Sequence, residues 1–336
     1  MLFRSSWELD VWGKLNRQSR ARYASFLASH SYKNLVQTSL IANIATSYYS
    51  LLALDEQLEV TESIISILKE SEQTMQSMKD AGMLNQAAVE QSRSLLFRTQ
   101  ASIFDLKIQI RKIENMLSTL VGRNPGSIER TSIKDQSVPK ELHYGIPAQM
   151  LARRPDVQQA ELAFRSAFEL TNAAQASFYP SITLSSSSML GYAATDMSEI
   201  FKPANIFANI IGGLTQPIFA RKQLTGNLKI AKAQQEEALL TFQKTVLVAG
   251  QEVSDILFAF DVSVKRDVIR SAQLDATEKS VEYTLELLKA GEANYTEVLT
   301  AGQNLLTAHL NQVSDKLEQL QYSVNLYKAL GGGSSN

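Results

Sequence analysis

The sequence predicts a mainly α fold of long coiled-coil helical hairpins arranged in two repeats, with a small β part cut to membrane-spanning length. Three observations carry that prediction. The chain matches itself at an offset of 209 residues, its long arms carry apolar residues every three or four positions, and one central stretch alternates with period two.

The repeat is the first of these. Residues 42–82 run without a gap against 251–291, and 83–122 against 292–331, both copies ending at a glycine, Gly122 and Gly331. Ala81/Ala290, Gly82/Gly291, Asn85/Asn294, Val89/Val298 and Leu96/Leu305 are identical pairs. A repeat of this kind has to be found before any element is assigned, because it dictates the architecture. In the first arm Val60, Ile64, Ile67, Ser71, Met75 and Met78 recur at helical spacing, and the second copy has Val253, Leu257, Phe260, Val264 and Val268. The returning arms are stricter. Leu306, Leu310, Val313, Leu317, Leu320 and Val324 step by four and three, as do Leu96, Ile103, Leu106, Ile110, Ile113, Leu117 and Leu120. Such a stripe packs on a neighbouring helix in coiled-coil fashion.

No proline falls between residues 1 and 124 or between 218 and 336. From Leu15 to Met78 an unbroken helix would run roughly 100 Å at 1.5 Å per residue. Gly82 and Gly291 interrupt the pattern in both copies, because a glycine adopts positive φ without cost and ends a helix. Helix is expected to resume near Val89 and Val298. The stretches 82–88 and 291–297 therefore read as the tips of two hairpins.

The segments in order are a first repeat at 1–122, a connecting segment at 123–150, a second repeat at 151–331 and a flexible tail at 332–336. The connecting segment holds three of the seven prolines. The helix that follows has Pro155 in its first turn, where no N–H partner is needed, and Asp156 at the positive end of its dipole. Beyond it the period changes to two. Ile182, Leu184, Leu190 and Tyr192 fall on one face, with Thr183, Ser185 and Ser187 on the other. In the second run Ile206, Ala208, Ile210 and Leu214 share a face, with Asn209 and Thr215 opposite. The hairpin spans 182–216, and each run has about the length of a tilted transmembrane strand. Alternation alone also suits a soluble hairpin packed on helices, but a lone hairpin is marginal in water and needs other strands.

Composition removes several classes of function. The net charge is −1, so nothing favours nucleic acid, which requires a clustered basic surface. There is no cysteine, hence no disulfide, thiolate metal site, Cys nucleophile or lipid-bearing Cys. "MLFRSSWELDVW" lacks the apolar core of a signal peptide, and no run of eighteen apolar residues could make a transmembrane helix. His30, His143 and His309 are scattered without ligand spacing. No phosphate-binding or nucleophile-elbow motif occurs, and the serines at 185–188 have no base placed to activate them. Arg153 and Arg154 are expected in an ion pair with Glu161 or a contact to the connecting segment, rather than in an anion site. No enzyme, catalytic residue, metal or cofactor is expected.

Several strings carry a resemblance. "WELDVWGKL" at 7–15, "GIPAQMLARRPDVQQAELAFRSA" at 145–167, "ASFYPSITL" at 176–184, "QPIF" at 216–219 and "NLYKALGGG" at 325–333 resemble the TolC-like outer-membrane efflux proteins, in the subgroup that serves RND-type multidrug and metal pumps. As an ordered set they cover essentially the whole chain. The resemblance implies a homotrimer in the outer membrane of a Gram-negative bacterium, with strands contributing to one shared barrel in lipid. Helices would extend into the periplasm as a tunnel. It also implies a periplasmic adaptor (membrane fusion) protein and an inner-membrane RND-type transporter as partners, with the chain a passive exit duct for drugs, metals or other small solutes. By this analogy Gly82, Met83 and Leu84 in one tip, and Gly291, Glu292 and Ala293 in the other, meet the adaptor. Asn294, Tyr295, Thr296 and Glu297 form the periplasmic gate. Three copies of Glu297 about one axis would make an acidic ring that attracts cations, while a solvated tip residue is the plainer role for it.

Three departures from the family pattern stand out. The first tip has Ala87 and Ala88 where Glu297 and its neighbour lie in the second. Relatives carry a signal peptide, two helical segments and a first strand before the "WELD" string, so a chain lacking that part, with about three of four strands, is expected here. Lys222 stands where relatives usually carry Gly. A non-conducting remnant, or a coiled-coil scaffold binding partner helices, remains the alternative; an adaptor is disfavoured because it would carry a single hairpin flanked by lipoyl and barrel strands.

Overall fold

The computed structural model describes residues 2–138, 151–189, 210–217 and 221–332. Expectations that rest on His143, Leu190, Tyr192, Ile206, Ala208 and Asn209 lie outside the described residues. The order is β1 (Leu2–Leu9), α1 (Lys14–Asp80), α2 (Gln86–Leu120), a 3-10 turn at Ile133–Asp135, α3 (Pro155–Ala176), β2 (Ser181–Met189), β3 (Ile210–Thr215), α4 (Gln223–Ala290) and α5 (Tyr295–Ala329). The fold is mainly α with a small sheet. The sequence offset reappears in the helix bounds: 14 and 223, 86 and 295, 120 and 329. Two compact units result, one of Met1–Leu35 with Ala152–Val248, the other of Val36–Leu151 with Ala249–Asn336.

In the first unit β1, β2 and β3 form an antiparallel sheet in that order. The register sets Trp7 opposite Leu184 and Gly212, and Leu9 opposite Ile182 and Leu214. Side chains alternate across a strand, so Trp7, Leu9, Ile182, Leu184 and Leu214 share one face. Ser6, Glu8, Thr183 and Ser185 share the other. The expected division into an apolar and a polar face holds for these residues, and the apolar one stays uncovered: Trp7 is 65% and Leu214 72% exposed. Helix α3 starts with Pro155 at its first position. It packs on α1 through an ion pair from Arg17 to the buried Glu169 at 2.8 Å and a 3.0 Å hydroxyl contact between Ser25 and Ser166. Thr171 donates to the Ala231 carbonyl of α4 at 3.0 Å.

The second unit is built from the two hairpins. Ile64, Ile65 and Leu68 of α1, Leu95 and Leu96 of α2, Val281 of α4, and Ala301 and Leu305 of α5 form one buried cluster. Leu52, Ala53, Val313, Leu320 and Ile133 form another. Buried hydroxyls of this seam bond back to their own helix: Thr61 to the Gln57 carbonyl at 2.6 Å, Thr99 to Leu95 at 3.0 Å, Ser118 to Glu114 at 2.8 Å and Ser263 to Phe260 at 2.7 Å. One expected seam residue is misplaced. Val268 is 70% exposed. Its spacing does not account for this, since Met75 ends the same series of steps in the first arm and is fully buried.

The segment after α2 is fastened to both arms of the first hairpin. Arg130 makes a two-point contact with Asp55 of α1 and donates to Glu114 of α2 at 2.7 Å. Lys134 reaches Glu56 at 2.8 Å, and Ile133 enters the core between them. The hydrogen bond to Asp55 raises the Arg130 pKa above its ordinary value, against the opposing effect of burial. Arg154 does not pair with Glu161; it grips Asp156 at 2.9 Å, two residues on, where the geometry is local.

Candidate functional site

Both hairpin tips are closed by the same local chemistry. At the first, Gly82 has φ +78°, its N–H donates to the Lys79 carbonyl at 2.9 Å, and the Met83 N–H donates to Met78 at 2.8 Å. At the second, Gly291 has φ +77°, with Gly291 donating to Leu288 at 3.0 Å and Glu292 to Leu287 at 2.9 Å. This pair of bonds is the Schellman motif, which satisfies the last carbonyls of a helix and requires a residue with positive φ. The chain then turns through Asn85 and Asn294. The Asn85 side chain accepts from the Ala88 N–H at 3.0 Å; Asn294 accepts from the Thr296 N–H at 3.2 Å and from the Thr296 hydroxyl at 2.8 Å.

These caps correct one expectation. Helix resumes at Gln86 and Tyr295, earlier than at Val89 and Val298, because an asparagine N-cap starts the helix as soon as its side chain supplies the missing acceptor. The identical asparagines at offset 209 were the available signal. Val89 and Val298 are instead buried in a cluster with Met75 and Leu288, onto which Met78, Leu84, Tyr295 and Leu299 pack. That cluster joins the two tips.

The residues singled out for the tips thus separate into groups. Gly82, Met83, Gly291 and Glu292 are exposed; Leu84 and Ala293 are half-buried. Tyr295 packs into the cluster, while Asn294 and Thr296 are engaged in the cap. Glu297 is exposed in the first turn of α5, where a carboxylate is favoured by the helix dipole. It borders an open polar groove with Ser280, Thr284, Thr300 and Asn304. The first tip offers Ala87 and the buried Ala88 at the matching places. The tips are alike in backbone and unlike in chemistry.

Farther along the second hairpin, sequence reasoning missed an ionic cluster between α4 and α5. Asp315, buried, takes Arg266 at 2.9 Å and Arg270 at 3.3 Å; Arg266 also contacts Glu318. The hydrogen bond to Glu318 raises the Arg266 pKa, opposed by burial and aided by Asp315. No local spacing announces it, since its partners come from helices far apart in sequence. Among the described residues no group of three His, Cys, Asp or Glu is placed to hold a metal ion, and no helix is long and apolar enough to cross a membrane.

Residues 3–123 and 146–332 match the family described as outer membrane efflux protein. The chain is 30% identical to the probable efflux pump outer membrane protein SepC of Pseudomonas putida, over 98% of this chain and 68% of that protein. It is 28% identical to the cation efflux system protein CusC of Escherichia coli, over 98% of this chain and 71% of that protein. Its fold is similar to that of the outer-membrane channel OprN, with a TM-score of 0.91 at 25% identity, covering 98% of this chain and 74% of that one. The matched ranges take in the sheet, both tips and both asparagine caps. The chain belongs to the outer membrane efflux protein family, a TolC-like family of outer-membrane channels and not of enzymes.

Proposed function

We propose that the chain is the passive exit duct of a tripartite efflux pump. It works as a homotrimer, docks a periplasmic adaptor at its two tips, and receives small solutes from an inner-membrane RND-type transporter. The observation that carries this reading is the sheet with one apolar face uncovered and, among the described residues, β1 and β3 each paired on one side only. Unpaired strand edges in lipid cost several kcal/mol per buried polar group, so a spanning sheet must close with strands from elsewhere. Further copies of the same chain are the simplest source. Phe97, Phe104 and Ile108 on α2 and Phe258, Val268 and Ile269 on α4 are also exposed, in the manner of surfaces that meet a partner.

In this reading Gly82, Met83 and Leu84, with Gly291, Glu292 and Ala293, receive the adaptor. Asn294, Tyr295, Thr296 and Glu297 line the periplasmic gate, and the polar work falls on the second tip because the first has alanines there. Solvent and cation efflux proteins among the relatives support small solutes as cargo. Conductance of the purified trimer in planar bilayers tests the proposal. The expected result is a cation-preferring conductance whose preference weakens in Glu297→Gln; an assembly that carries no current under any voltage would sink it.

A further inference from the structure

The strand–helix junction of the first unit has a one-sided charge distribution. Arg20, Arg22, Arg221, Lys222 and Lys229 are all exposed there, and among the described residues none has a carboxylate partner. The acids of the same stretch are already engaged. Glu8 pairs with Lys14 at 3.4 Å, Glu169 with Arg17 at 2.8 Å, and Asp10 caps α1 by accepting from Leu15 and Asn16 at 2.8 and 2.7 Å. The placement also obeys the repeat: Arg20 and Lys229 are separated by the same 209 residues as Gly82 and Gly291, so they lie equally far along α1 and α4.

Height relative to the sheet fits one kind of partner. Strands end at Leu9, Ser181 and Thr215, and α1 and α4 begin at Lys14 and Gln223. Arg20 and Lys229 lie about 10 Å along their helices. A long basic side chain snorkels back from there toward a headgroup layer about 5–8 Å deep. Between strands and cations sits an aromatic pair. Trp12 stacks on Tyr179 with centroids 4.8 Å apart, and its indole N–H donates to the Pro180 carbonyl at 2.8 Å. Both rings stay exposed, as amphipathic rings do at a membrane–water interface.

We propose that Arg20, Arg22, Arg221, Lys222 and Lys229 form a basic collar that binds the phosphates of anionic phospholipids in the periplasmic leaflet, with Trp12 and Tyr179 marking the depth of the interface. Continuity with the apolar sheet face, together with unneutralised positive charge, selects an anionic lipid over a protein partner. The collar rests on placement in the outer membrane and not on the exit-duct reading, so a chain that conducts nothing would leave it standing.

The test is native mass spectrometry of the full chain, purified in detergent and incubated with equimolar phosphatidylglycerol and phosphatidylcholine. Phosphatidylglycerol retention is expected to exceed that of phosphatidylcholine by about fivefold or more, the effect of a single engaged cation. The excess should shrink as salt is raised. It should vanish in Arg20→Glu/Arg22→Glu/Lys229→Glu and survive in Arg20→Lys/Arg22→Lys/Lys229→Arg, each checked for unchanged helical content. Equal retention of the two lipids by the unaltered chain overturns the proposal without any variant. So does an excess that persists in the glutamate variant, or one abolished by millimolar inorganic phosphate, which would mark a site for the free anion. A glutamate variant with unchanged lipid retention but altered ion selectivity would place these cations in the lumen.

Discussion

Lys222 occupies the place that Gly13 holds one repeat earlier, and both have positive φ, +58° and +72°. The local geometry is shared: the Arg17 N–H donates to the Gly13 carbonyl and the Gly226 N–H to the Lys222 carbonyl, each at 2.8 Å. A side chain with Cβ in this region costs about 1–2 kcal/mol, which a glycine avoids at some loss of unfolded-state entropy. Lys222→Gly should therefore stabilise the chain by about 0.5–1 kcal/mol, read as a higher urea midpoint. Gly13→Ala should act in the opposite sense by about 1 kcal/mol, and from the backbone alone, since a Cβ there meets nothing within 4 Å. The anomaly at Lys222 was visible in the sequence as a departure from the family pattern. Asn85 and Asn294 are visible in the sequence only as identities, because a cap is recognised by where the helix begins, and the apolar period points to Val89 and Val298 rather than to Gln86 and Tyr295.

Among the elements, the fastening of the first hairpin depends on Arg130. Removing the guanidinium leaves the buried Glu114 with Arg111 at 3.3 Å and strips Asp55 of its two-point partner. Arg130→Met should cost about 2–4 kcal/mol in denaturant unfolding. Helix α3 offers a test by pH. Burial opposes ionisation of Asp156, but hydrogen bonds from Arg154, its charge, and the Val157 N–H outweigh burial and hold the carboxyl below its ordinary 3.8. The folded chain therefore binds this proton less readily than the unfolded one. The stabilisation is complete above that value and drains away as pH falls below it. Thermal unfolding followed by circular dichroism should show an acid-side loss that is smaller in Asp156→Asn. Hairpins, strands and the start of α3 were legible because 3.6- and 2-residue periods and proline placement are local signals. The Arg130 and Asp315 clusters were not, since they join residues whose proximity exists only after the helices pack. Val268 shows the limit of the period itself: Met75 ends the same series of steps and is buried, so spacing alone does not say which positions a neighbouring helix covers.

For the molecule as a whole, the exposed apolar residues of α2 and α4 set the expectation. Phe104 is 67% and Ile269 70% exposed. In the proposed homotrimer, Phe104→Asp/Ile269→Asp should keep its helical content yet shift the detergent-solubilised protein from trimer to monomer, as read by light scattering after gel filtration; an unchanged assembly would show that these residues face solvent. Neighbouring helices within the hairpin unit are held by a different kind of contact. The hydroxyls of Thr61, Thr99, Ser118 and Ser263 spend their donors on their own helices. A small axial slip of one helix past another therefore breaks none of these bonds, and at these positions the interlocked aliphatic side chains are what resist it. Stiffness is concentrated where polar groups do cross between helices, among them Arg130, Asp315, the 3.1 Å pair of Arg93 with Glu72, the 3.2 Å bond from Gln321 to the Ser50 hydroxyl and the 3.3 Å bond from Gln319 to the Ser263 carbonyl. Mechanically, the hairpins behave as a bearing with a few fixed pins: compliant to shear along most of the seam and rigid at named residues.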